Sequence, residues 1–320
     1  MHGERAVSRE KQRLGWLDSA RGIGIILVAI AHTWTSGPVR DAIYSFHMPL
    51  FFIFSGYMLR PPKSLSHALK QSAALMLSYA AFLLLIIAAD TVIETAKGYR
   101  PMFHNWPQDW KRILLGGSEL RGPFTVFWFV PCLVFARLIC SAFAMRFADP
   151  LRWPWLALAA AMAIVGYVAG AATDFSPLGL LTVPMACVFI WAGWAIRSAQ
   201  LPDWLWWAAV PIALAGMFLF DTMNMKAGYY GWPLLSALAA IASSLLLMRF
   251  ARLPFADARV LHLFGKASLV IMYLHVPVIH YLAPWLGKWM LFVLSLVIPL
   301  AVWWSLERVA PARWLFLARR

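Results

Sequence analysis

Long apolar runs recur along the whole chain, and they constrain its fold more than any other feature. A helix that spans a bilayer needs about 20 mostly apolar residues, and this chain offers about ten such runs. Because lipid supplies no hydrogen-bond partners for the backbone, such segments must be helical. We therefore predict an all-α polytopic membrane protein with about ten transmembrane helices. The runs lie approximately at residues 16–36, 42–59, 69–90, 122–143, 153–172, 178–196, 203–221, 230–249, 265–284 and 289–308.

The composition supports the same class of protein. Of 320 residues, 62% are hydrophobic and only 13% are charged, which is more apolar surface than one soluble core can bury. We therefore expect a single membrane-embedded domain over residues 1–320. The three cysteines, Cys132, Cys140 and Cys187, lie inside apolar runs and lack the spacing of a metal site, which favours a role in packing.

The distribution of charge predicts the orientation of the chain. The net charge is +14, but the basic residues lie at helix ends rather than in one patch, which argues against a nucleic-acid partner. With the N-terminus assigned to the cytoplasm, 20 of the 28 Lys and Arg residues fall on that side, including those in 137–152. By the positive-inside rule, this bias predicts an inner (plasma) membrane protein with both termini in the cytoplasm.

Two segments outside the runs carry separate expectations. Residues 1–15 are charged and lack the cleavage site of a signal peptide, so we expect an uncleaved cytoplasmic N-terminal segment. Residues 91–121 form a long external connection. Within it, the apolar residues between Trp106 and Leu115 follow a helical spacing, which predicts an amphipathic helix at the membrane surface. Trp106 and Trp110 suit anchoring in that surface as well as stacking on a sugar.

The first apolar run, GWLDSARGIGIILVAIAHTWTSG, carries ionisable side chains along one helical face. Arg21 and His32 lie eleven residues apart, so at about 100° per residue they point within about 20° of each other. Asp18 lies one turn before Arg21 on the same stripe. At 1.5 Å per residue, His32 lies about 16 Å deeper than Arg21. The helix thus presents an acid–base pair at the cytoplasmic mouth and an imidazole deeper in the membrane.

These side chains have structural as well as functional interpretations. Asp18 and Arg21 can form a simple interfacial ion pair, and His32 can be a hydrogen-bond partner between helices. Ionisable groups at membrane depth nevertheless cost a few kcal/mol and tend to line a polar cavity. His47 begins the second run at a comparable depth if the first two helices are antiparallel neighbours. We therefore hypothesise that His32 and His47 share a cavity.

Four motifs, in this order along the chain, resemble one known family. They are Arg21 followed after ten residues by His32, FHMPLFFIFSGYML at Phe46–Leu59, FWFVPCL at Phe127–Leu133, and GKASLVIMYLHVPV at Gly265–Val278. Together they resemble the acyltransferase-3 family of integral membrane O-acyltransferases, with a likeness to fucose 4-O-acetylase and exopolysaccharide acetyltransferases. The resemblance spans essentially the whole chain.

The resemblance implies a ten-helix bundle that uses acetyl-CoA or another acyl-CoA to esterify a sugar hydroxyl. The expected partners are the acyl-CoA donor, a cell-surface or lipid-linked glycan, and the bilayer. Arg21 and His32 match the family's functional arginine and histidine. A guanidinium suits the CoA phosphates, and a neutral imidazole can take the proton of the attacking hydroxyl. The reaction requires neither a metal nor a tightly bound cofactor, and direct transfer and an acyl-histidine relay both stay open.

Further cationic and aromatic residues have candidate binding roles. Arg249, Arg252 and Lys266 lie around the link before the ninth run and can either contact the donor phosphates or act only as topology signals. Trp128 can stack on the donor or the acceptor, although the chain holds 18 tryptophans. Ser55 and Gly56 favour close helix packing rather than a nucleophile, because no Gly-x-Ser-x-Gly elbow surrounds them.

The ninth run carries a further candidate histidine, His275. Ser268, Met272 and His275 recur at offsets of four and seven and share one helical face. The resemblance includes a tyrosine and a histidine here, so Tyr273 and His275 are candidate acceptor-binding residues. A structural hydrogen bond is the alternative for His275.

Two other classes of protein compete with an acyltransferase. Intramembrane Arg and His also mark substrate pathways in carriers, although the chain lacks the paired halves typical of transporters. A membrane sensor that binds a glycan without turnover would keep the cavity but would not need a donor mouth. Binding and turnover of a CoA thioester distinguish these classes.

Overall fold

The computed structural model describes residues 2–256 and 258–318, with side chains from residue 15 onward. No β-strand occurs in these ranges, and thirteen α-helices account for most of the described chain. The helices are α1 (His2–Thr33), α2 (Pro38–Tyr44), α3 (His47–Tyr57), α4 (Leu65–Ala96), α5 (Trp106–Leu115), α6 (Phe129–Arg146), α7 (Trp153–Ala172), α8 (Val183–Ser198), α9 (Trp204–Phe218), α10 (Leu235–Phe250), α11 (Arg259–Leu282), α12 (Lys288–Arg308) and α13 (Ala310–Leu317). Short 3₁₀ turns lie at Gly117–Glu119, Gly122–Trp128, Pro177–Thr182, Met225–Ala227 and Pro254–Ala256.

The helices confirm an all-α polytopic membrane protein. Six helical segments in the described chain are long and apolar enough to cross a membrane. They are Leu65–Ala96, Gly122–Arg146, Trp153–Ala172, Pro177–Ser198, Arg259–Leu282 and Lys288–Arg308. Two shorter apolar helices, α9 and α10, accompany them. Large apolar side chains lie exposed on these helices, as expected for surfaces that contact lipid. Examples are Leu84, Ile164 and Trp207, whose side chains are 64–79% exposed.

Each of the ten predicted runs overlaps a helix, but the second run is not one helix. It is divided into α2 and α3, and the break lies at Ser45–Phe46. Pro49, in the first turn of α3, explains the break, because a proline ring clashes with the carbonyl four residues earlier in a continuous helix. His47 is therefore the first residue of α3 rather than a residue within a longer helix. The predicted number of spans stays a prediction.

The connection predicted over residues 91–121 begins later and is tied back to the bundle. Helix α4 continues to Ala96, and its buried Asp90 accepts hydrogen bonds from the Tyr281 hydroxyl and the Met102 backbone N–H, each at 2.7 Å. The predicted amphipathic helix is present as α5, with Trp106 and Trp110 exposed. Its position at the membrane surface stays a prediction.

Pairs of glycines let two sets of helices cross at backbone contact. Helices α1 and α11 cross at Gly22 and Gly265, where a Cβ atom would meet the backbone of Leu261 and of Asp18, respectively. The same kind of contact joins α3 and α8, since a Cβ on Gly56 would meet the backbone of Ile190. Small residues permit such close crossings in membrane bundles. The predicted packing role of Gly56 therefore has a structural counterpart.

The interior is mostly apolar, and all three cysteines are buried there as free thiols. We call the end of the bundle where α1 carries Asp18 the inner end, and the end where α1 stops and α2 begins the outer end. Under the predicted topology, the inner end faces the cytoplasm. The 3₁₀ turns Gly117–Glu119, Gly122–Trp128, Pro177–Thr182 and Met225–Ala227 contact one another, and under that topology they lie at the outer end.

Candidate active site

A cavity of about 540 Å³ runs through the bundle and brings most of the predicted site residues together. Helices α1, α3, α6 and α11 line it, joined by α2 and by the 3₁₀ turns at 122–128 and 225–227. Its volume lies within the range of small-molecule sites. The predicted residues that line it are Asp18, Arg21, His32, His47, Trp128, Lys266, Ser268, Met272 and His275.

The inner end of the cavity carries charged side chains held by helices. Arg21 and Asp18 lie 3.7 Å apart on successive turns of α1, so the predicted pairing is present. Arg21 also donates a hydrogen bond from Nη2 to Met58 Sδ at 2.8 Å, which links α1 to the end of α3. Lys266, exposed on α11 next to the Gly265 crossing, lines the same end. This end therefore presents cations to a ligand that enters from the inner side.

Arg137 is a further cation of the cavity, and sequence reasoning missed it. The charge count assigned it to the cytoplasmic side, but it lies half-buried within α6 and lines the cavity. Its Nη1 donates to Ser55 Oγ on α3 at 3.0 Å. Arg137 also lines a second cavity, of about 800 Å³, between α4, α6 and α13. A lone arginine inside an apolar run was the available signal, since such residues tend to face a polar cavity.

Three imidazoles meet in the part of the cavity beyond Arg21. The rings of His32 and His275 lie with their centroids 5.0 Å apart in an edge-on arrangement. The ring of Tyr44 lies 6.2 Å from that of His32 and 4.6 Å from that of His47. The imidazole in ring contact with His32 is thus that of His275, on α11, while Tyr44 bridges to His47. The predicted shared cavity of His32 and His47 is present in this form.

Hydrogen bonds to the backbone fix the tautomers of two of these rings. His47 Nδ1 lies 3.1 Å from the Ile43 carbonyl oxygen, and His275 Nδ1 lies 2.8 Å from the Ile271 carbonyl oxygen. Because a carbonyl only accepts, each Nδ1 is assigned the proton and each Nε2 then keeps its lone pair. His275 Nε2 is buried without a hydrogen-bond partner among the described residues. It is therefore a proton acceptor that no donor among the described residues occupies.

The outer end of the cavity is built from short segments. Arg40 and Tyr44 come from α2, Thr125 from the 3₁₀ turn at 122–128, and Asn224 and Lys226 from the connection between α9 and α10. Sequence reasoning missed Arg40, Thr125 and Lys226. No periodic sequence pattern predicts that these three residues line the cavity, because tertiary contacts between turns bring them there.

The comparisons with known proteins agree with the resemblance. The acyltransferase-3 family model, described as an acyltransferase domain, matches residues 14–308. The chain belongs to the acyltransferase-3 family. The match includes every residue that lines the first cavity, from Asp18 to His275. No curated protein and no solved structure matches the chain. With its apolar helices, this family member is a multi-pass membrane acyltransferase.

Three predicted residues of this acyltransferase-3 protein lie outside the cavity. Tyr273 is fully buried, and its ring stacks on that of Phe82 at a centroid distance of 4.7 Å. The Arg249 guanidinium lies 4.8 Å from the centre of the Trp206 ring. The structure therefore gives Tyr273 and Arg249 packing contacts rather than access to a ligand in this cavity.

Arg252 is the third predicted residue outside the cavity. Its guanidinium lies 4.3 Å from the centre of the Trp16 ring, and its Nη2 donates to the Tyr57 hydroxyl at 3.1 Å. These contacts fasten the link before α11 to α1 and to the end of α3. Of the cations predicted around that link to contact the donor, Lys266 lines the cavity and Arg249 and Arg252 do not.

Proposed function

We propose that the protein transfers an acetyl or other short acyl group from acyl-CoA to a hydroxyl of a cell-surface or lipid-linked glycan, with His32 as the general base. It acts in the inner membrane with both termini in the cytoplasm, and the motifs favour an acceptor of the fucose or exopolysaccharide kind. One observation carries the proposal: a single cavity connects Arg21 to His32. The cavity thus places a group that can bind phosphate, Arg21, and a proton acceptor, His32, in one continuous space. The chain that carries it belongs to a family of acyltransferases.

The cations at the inner end suit the donor. CoA carries phosphates on its nucleotide and a thioester at the far end of an extended arm, and the cytoplasmic pool supplies it to the inner side. Arg21, Arg137 and Lys266 hold the phosphates, since guanidinium and ammonium groups form charge-assisted bonds to phosphate oxygen. The arm then spans the remaining distance, about 16 Å along α1, to bring the thioester to His32.

The transfer needs a proton acceptor next to the attacking hydroxyl. Neutral His32 removes the hydroxyl proton as the oxygen attacks the thioester carbonyl, the carbon–sulfur bond breaks, and the CoA sulfur takes up the proton from the imidazolium. In the relay alternative, a His32 nitrogen first attacks the thioester carbonyl, the carbon–sulfur bond breaks, and CoA leaves as the thiol with the proton of the other His32 nitrogen. The glycan hydroxyl then attacks the acyl-imidazole, and its proton returns to the imidazole as the bond between nitrogen and acyl group breaks. Both routes use the same cavity.

The neighbouring imidazoles orient His32 in this scheme. His275 Nε2 is an acceptor beside His32, so it can accept the N–H of His32 and leave the other His32 nitrogen free for the hydroxyl proton. His47 approaches the same space through Tyr44 and presents a second acceptor Nε2 to the glycan. Trp128, from the 3₁₀ turn before α6, contributes an aromatic surface against which the pantetheine arm or the sugar can stack.

The test compares wild type and His32→Gln in lipid nanodiscs supplied with radiolabelled acetyl-CoA. Purified wild type should release or transfer the acetyl group slowly, and His32→Gln should lose roughly 10²–10⁴-fold of that rate. Binding of a non-hydrolysable CoA thioether analogue should persist in the variant, which would show that it is folded. His104→Gln is the matched control, because His104 is exposed in the connection before α5, and it should retain activity.

Each contrary result points to a specific alternative. A wild-type protein that binds no CoA thioester would favour a carrier, and one that binds a glycan but never CoA would favour a sensor. Full activity in His32→Gln would remove His32 as the base. Pre-steady-state kinetics separate the two routes, since only the relay releases a burst of free CoA stoichiometric with the enzyme before a glycan is added.

A further inference from the structure

The charges that line the first cavity are unbalanced. Among the described residues, its lining contains one carboxylate, Asp18 at the inner end, and five cationic side chains. Three of the cations, Arg21, Arg137 and Lys266, belong to the proposed donor site. Arg40 and Lys226 lie at the opposite end, beyond the reach of the donor phosphates in the proposed function. The outer pair therefore calls for a different anion.

Lys226 is held in place by a braced turn. The turn Met225–Ala227 is closed by paired backbone hydrogen bonds between Asn224 and Tyr229, at 2.9 and 3.1 Å. The Thr182 hydroxyl donates to the Met225 carbonyl and ties the turn to the start of α8. The lysine is thus presented to the cavity by the fold, not by a freely moving loop.

Within the part of the chain that the structure describes, the ammonium of Lys226 has hydrogen-bond partners but no counter-charge. Its Nζ donates to the Leu120 carbonyl at 2.6 Å and to Thr125 Oγ1 at 2.8 Å. Both acceptors are neutral, and they use two of its three N–H donors. Burial, reinforced by the charge of Arg121, lowers the pKa of Lys226 to about 8. The group is therefore still largely protonated at neutral pH, with one donor left for a ligand.

Arg40 is also pre-oriented toward the cavity. Its guanidinium carbon lies 3.8 Å from the centre of the Tyr44 ring, and Nη1 donates to Asp41 Oδ1 at 2.7 Å. Asp41 is about half exposed, with 46% of its side chain accessible, and it does not line the cavity. Such an exposed pair neutralises little. The remaining guanidinium donors stay available to a planar oxyanion.

We propose that Arg40 and Lys226 bind an oxyanion of the acceptor, so that the enzyme acts on an acidic glycan substrate. The oxyanion is either a sugar carboxylate or the phosphate of a lipid-linked sugar. The inference rests on the proposed function, since it assumes that the acceptor hydroxyl meets His32 in this cavity.

The chemistry of the outer end favours an acidic over a neutral acceptor. A neutral glycan would leave a half-buried ammonium without a counter-charge, whereas an oxyanion accepts charge-assisted hydrogen bonds, which are roughly twice as strong as neutral ones. Anchoring the acceptor at one charged group also limits which of its hydroxyls can approach the imidazoles. The same two cations would thus set both substrate class and position of transfer.

Equilibrium binding tests this proposal without depending on turnover. The wild type is placed in nanodiscs of neutral lipid, and Kd is measured for methyl glucuronoside beside methyl glucoside. A second pair is glucose phosphate on a short isoprenoid chain beside glucose joined to that chain without phosphate. We expect at least one acidic probe to bind roughly tenfold or more tightly than its neutral twin. The pair that shows the preference identifies the source of the oxyanion.

Substitutions then assign the preference to the outer cations. Lys226→Gln and Arg40→Gln should each remove most of it, while Lys226→Arg should retain it because the charge is kept. Lys111→Gln is the control, since Lys111 is exposed on α5 and does not line the cavity; this variant should keep the preference. Arg40→Gln also guards against a folding defect in the Lys226 turn, because Arg40 lies on a separate element.

The outcomes separate this inference from the proposed function. Equal binding of acidic and neutral probes by the wild type, or a preference that survives both Gln substitutions, overturns the acidic acceptor. Acyl transfer to a neutral glycan that still depends on His32 would keep the proposed function and overturn this inference alone. Selective binding of an acidic probe without any acyl transfer would keep Arg40 and Lys226 as an oxyanion site and overturn the proposed function.

Discussion

The inner and outer ends of the cavity both present cations, but they are built in different ways. At the inner end, Arg21 and Arg137 project from the long helices α1 and α6, and α1 is packed against α11 at the Gly22–Gly265 crossing. At the outer end, Arg40 and Lys226 project from a seven-residue helix and a 3₁₀ turn held by hydrogen bonds between connections. Under the two proposals, the donor binds at an end built from packed helices, and acceptor preference depends on short segments that can change without disturbing the bundle.

The largest expected effect comes from disturbing the inner end. In Gly265→Ala, the new methyl group would meet the backbone carbonyl of Asp18, so α1 and α11 must separate. We expect a loss of stability of about 1–3 kcal/mol, typical of overpacking, and a loss of activity of roughly 10²-fold from misplacement of the donor. Thermal unfolding in detergent and the rate of acetyl transfer measure the two effects.

A glycine outside the crossing provides the control for this prediction. Gly287 is the N-cap of α12 with φ of −70°, and among the described residues no atom beyond its chain neighbours lies within 4 Å of the position its Cβ would occupy. Gly287→Ala should therefore keep the wild-type rate and lose at most about 1 kcal/mol of stability, the cost of a weaker N-cap. If Gly265→Ala were tolerated as well as Gly287→Ala, the close contact between α1 and α11 would not be needed to hold the inner end of the cavity in place.

The next effect concerns donor binding through Arg137. Arg137→Gln removes a cation from the cavity and leaves the Ser55 hydroxyl without its donor, so the Kd for acetyl-CoA should rise by roughly tenfold to a hundredfold. Arg146→Gln changes the same net charge on the same helix at an exposed site and should alter the Kd little. Equal effects of the two substitutions would mean that only overall charge attracts the donor.

The two ends also differ in how much of them the sequence predicts. Asp18, Arg21 and His32 share a face because one unbroken helix imposes its period on them, so spacing alone predicts their alignment. His275 also lies next to His32 in the cavity. The helical face that carries His275 was predicted from the spacing of Ser268, Met272 and His275 in the ninth run. The contribution of Lys226 depends on a turn whose position is fixed by contacts with Leu120 and Thr125, and no local pattern encodes such contacts.

Two features of the helices were interpreted incompletely from the sequence, for physical reasons. Arg137 was counted only as a topology signal and its place in the cavity was missed, although a single charge inside an apolar run favours a cavity. Tyr273 was grouped with His275, but residues two apart on a helix point about 200° away from each other, so they cannot share a face. The structure accordingly turns Tyr273 toward Phe82 and Phe127 while His275 lines the cavity.

A smaller effect distinguishes the outer end by its dependence on pH. The pKa of Lys226, about 8 because of burial and of the nearby Arg121, lies below the usual value for lysine. The protonated form binds the oxyanion, so the preference for an acidic probe should be full near about pH 6.5 and weaken several-fold by about pH 9. A bound anion raises this pKa, which moves the midpoint upward. Binding isotherms at both pH values check the expectation.

The Lys226→Arg variant isolates the titration of this one group. A guanidinium stays charged throughout this range, so the preference of the variant should be nearly independent of pH, and Arg40 should contribute equally at both values. A pH dependence that persists unchanged in Lys226→Arg would assign the titration to another group, and the outer end would then have to be described without Lys226 as its acceptor cation.

The smallest expected effect concerns a cation that lies near the inner end but not in the cavity. The Arg252 guanidinium packs on Trp16 and donates to the Tyr57 hydroxyl, so Arg252→Gln should cost at most about 1 kcal/mol of stability and leave the Kd for acetyl-CoA within about twofold. Donor titrations beside Arg137→Gln provide the measurement. A rise in Kd as large as that of Arg137→Gln would extend the donor site onto the link before α11. The predicted contrast has a simple basis: positive charge near the membrane surface sets orientation, and only a side chain that reaches the cavity can hold the donor.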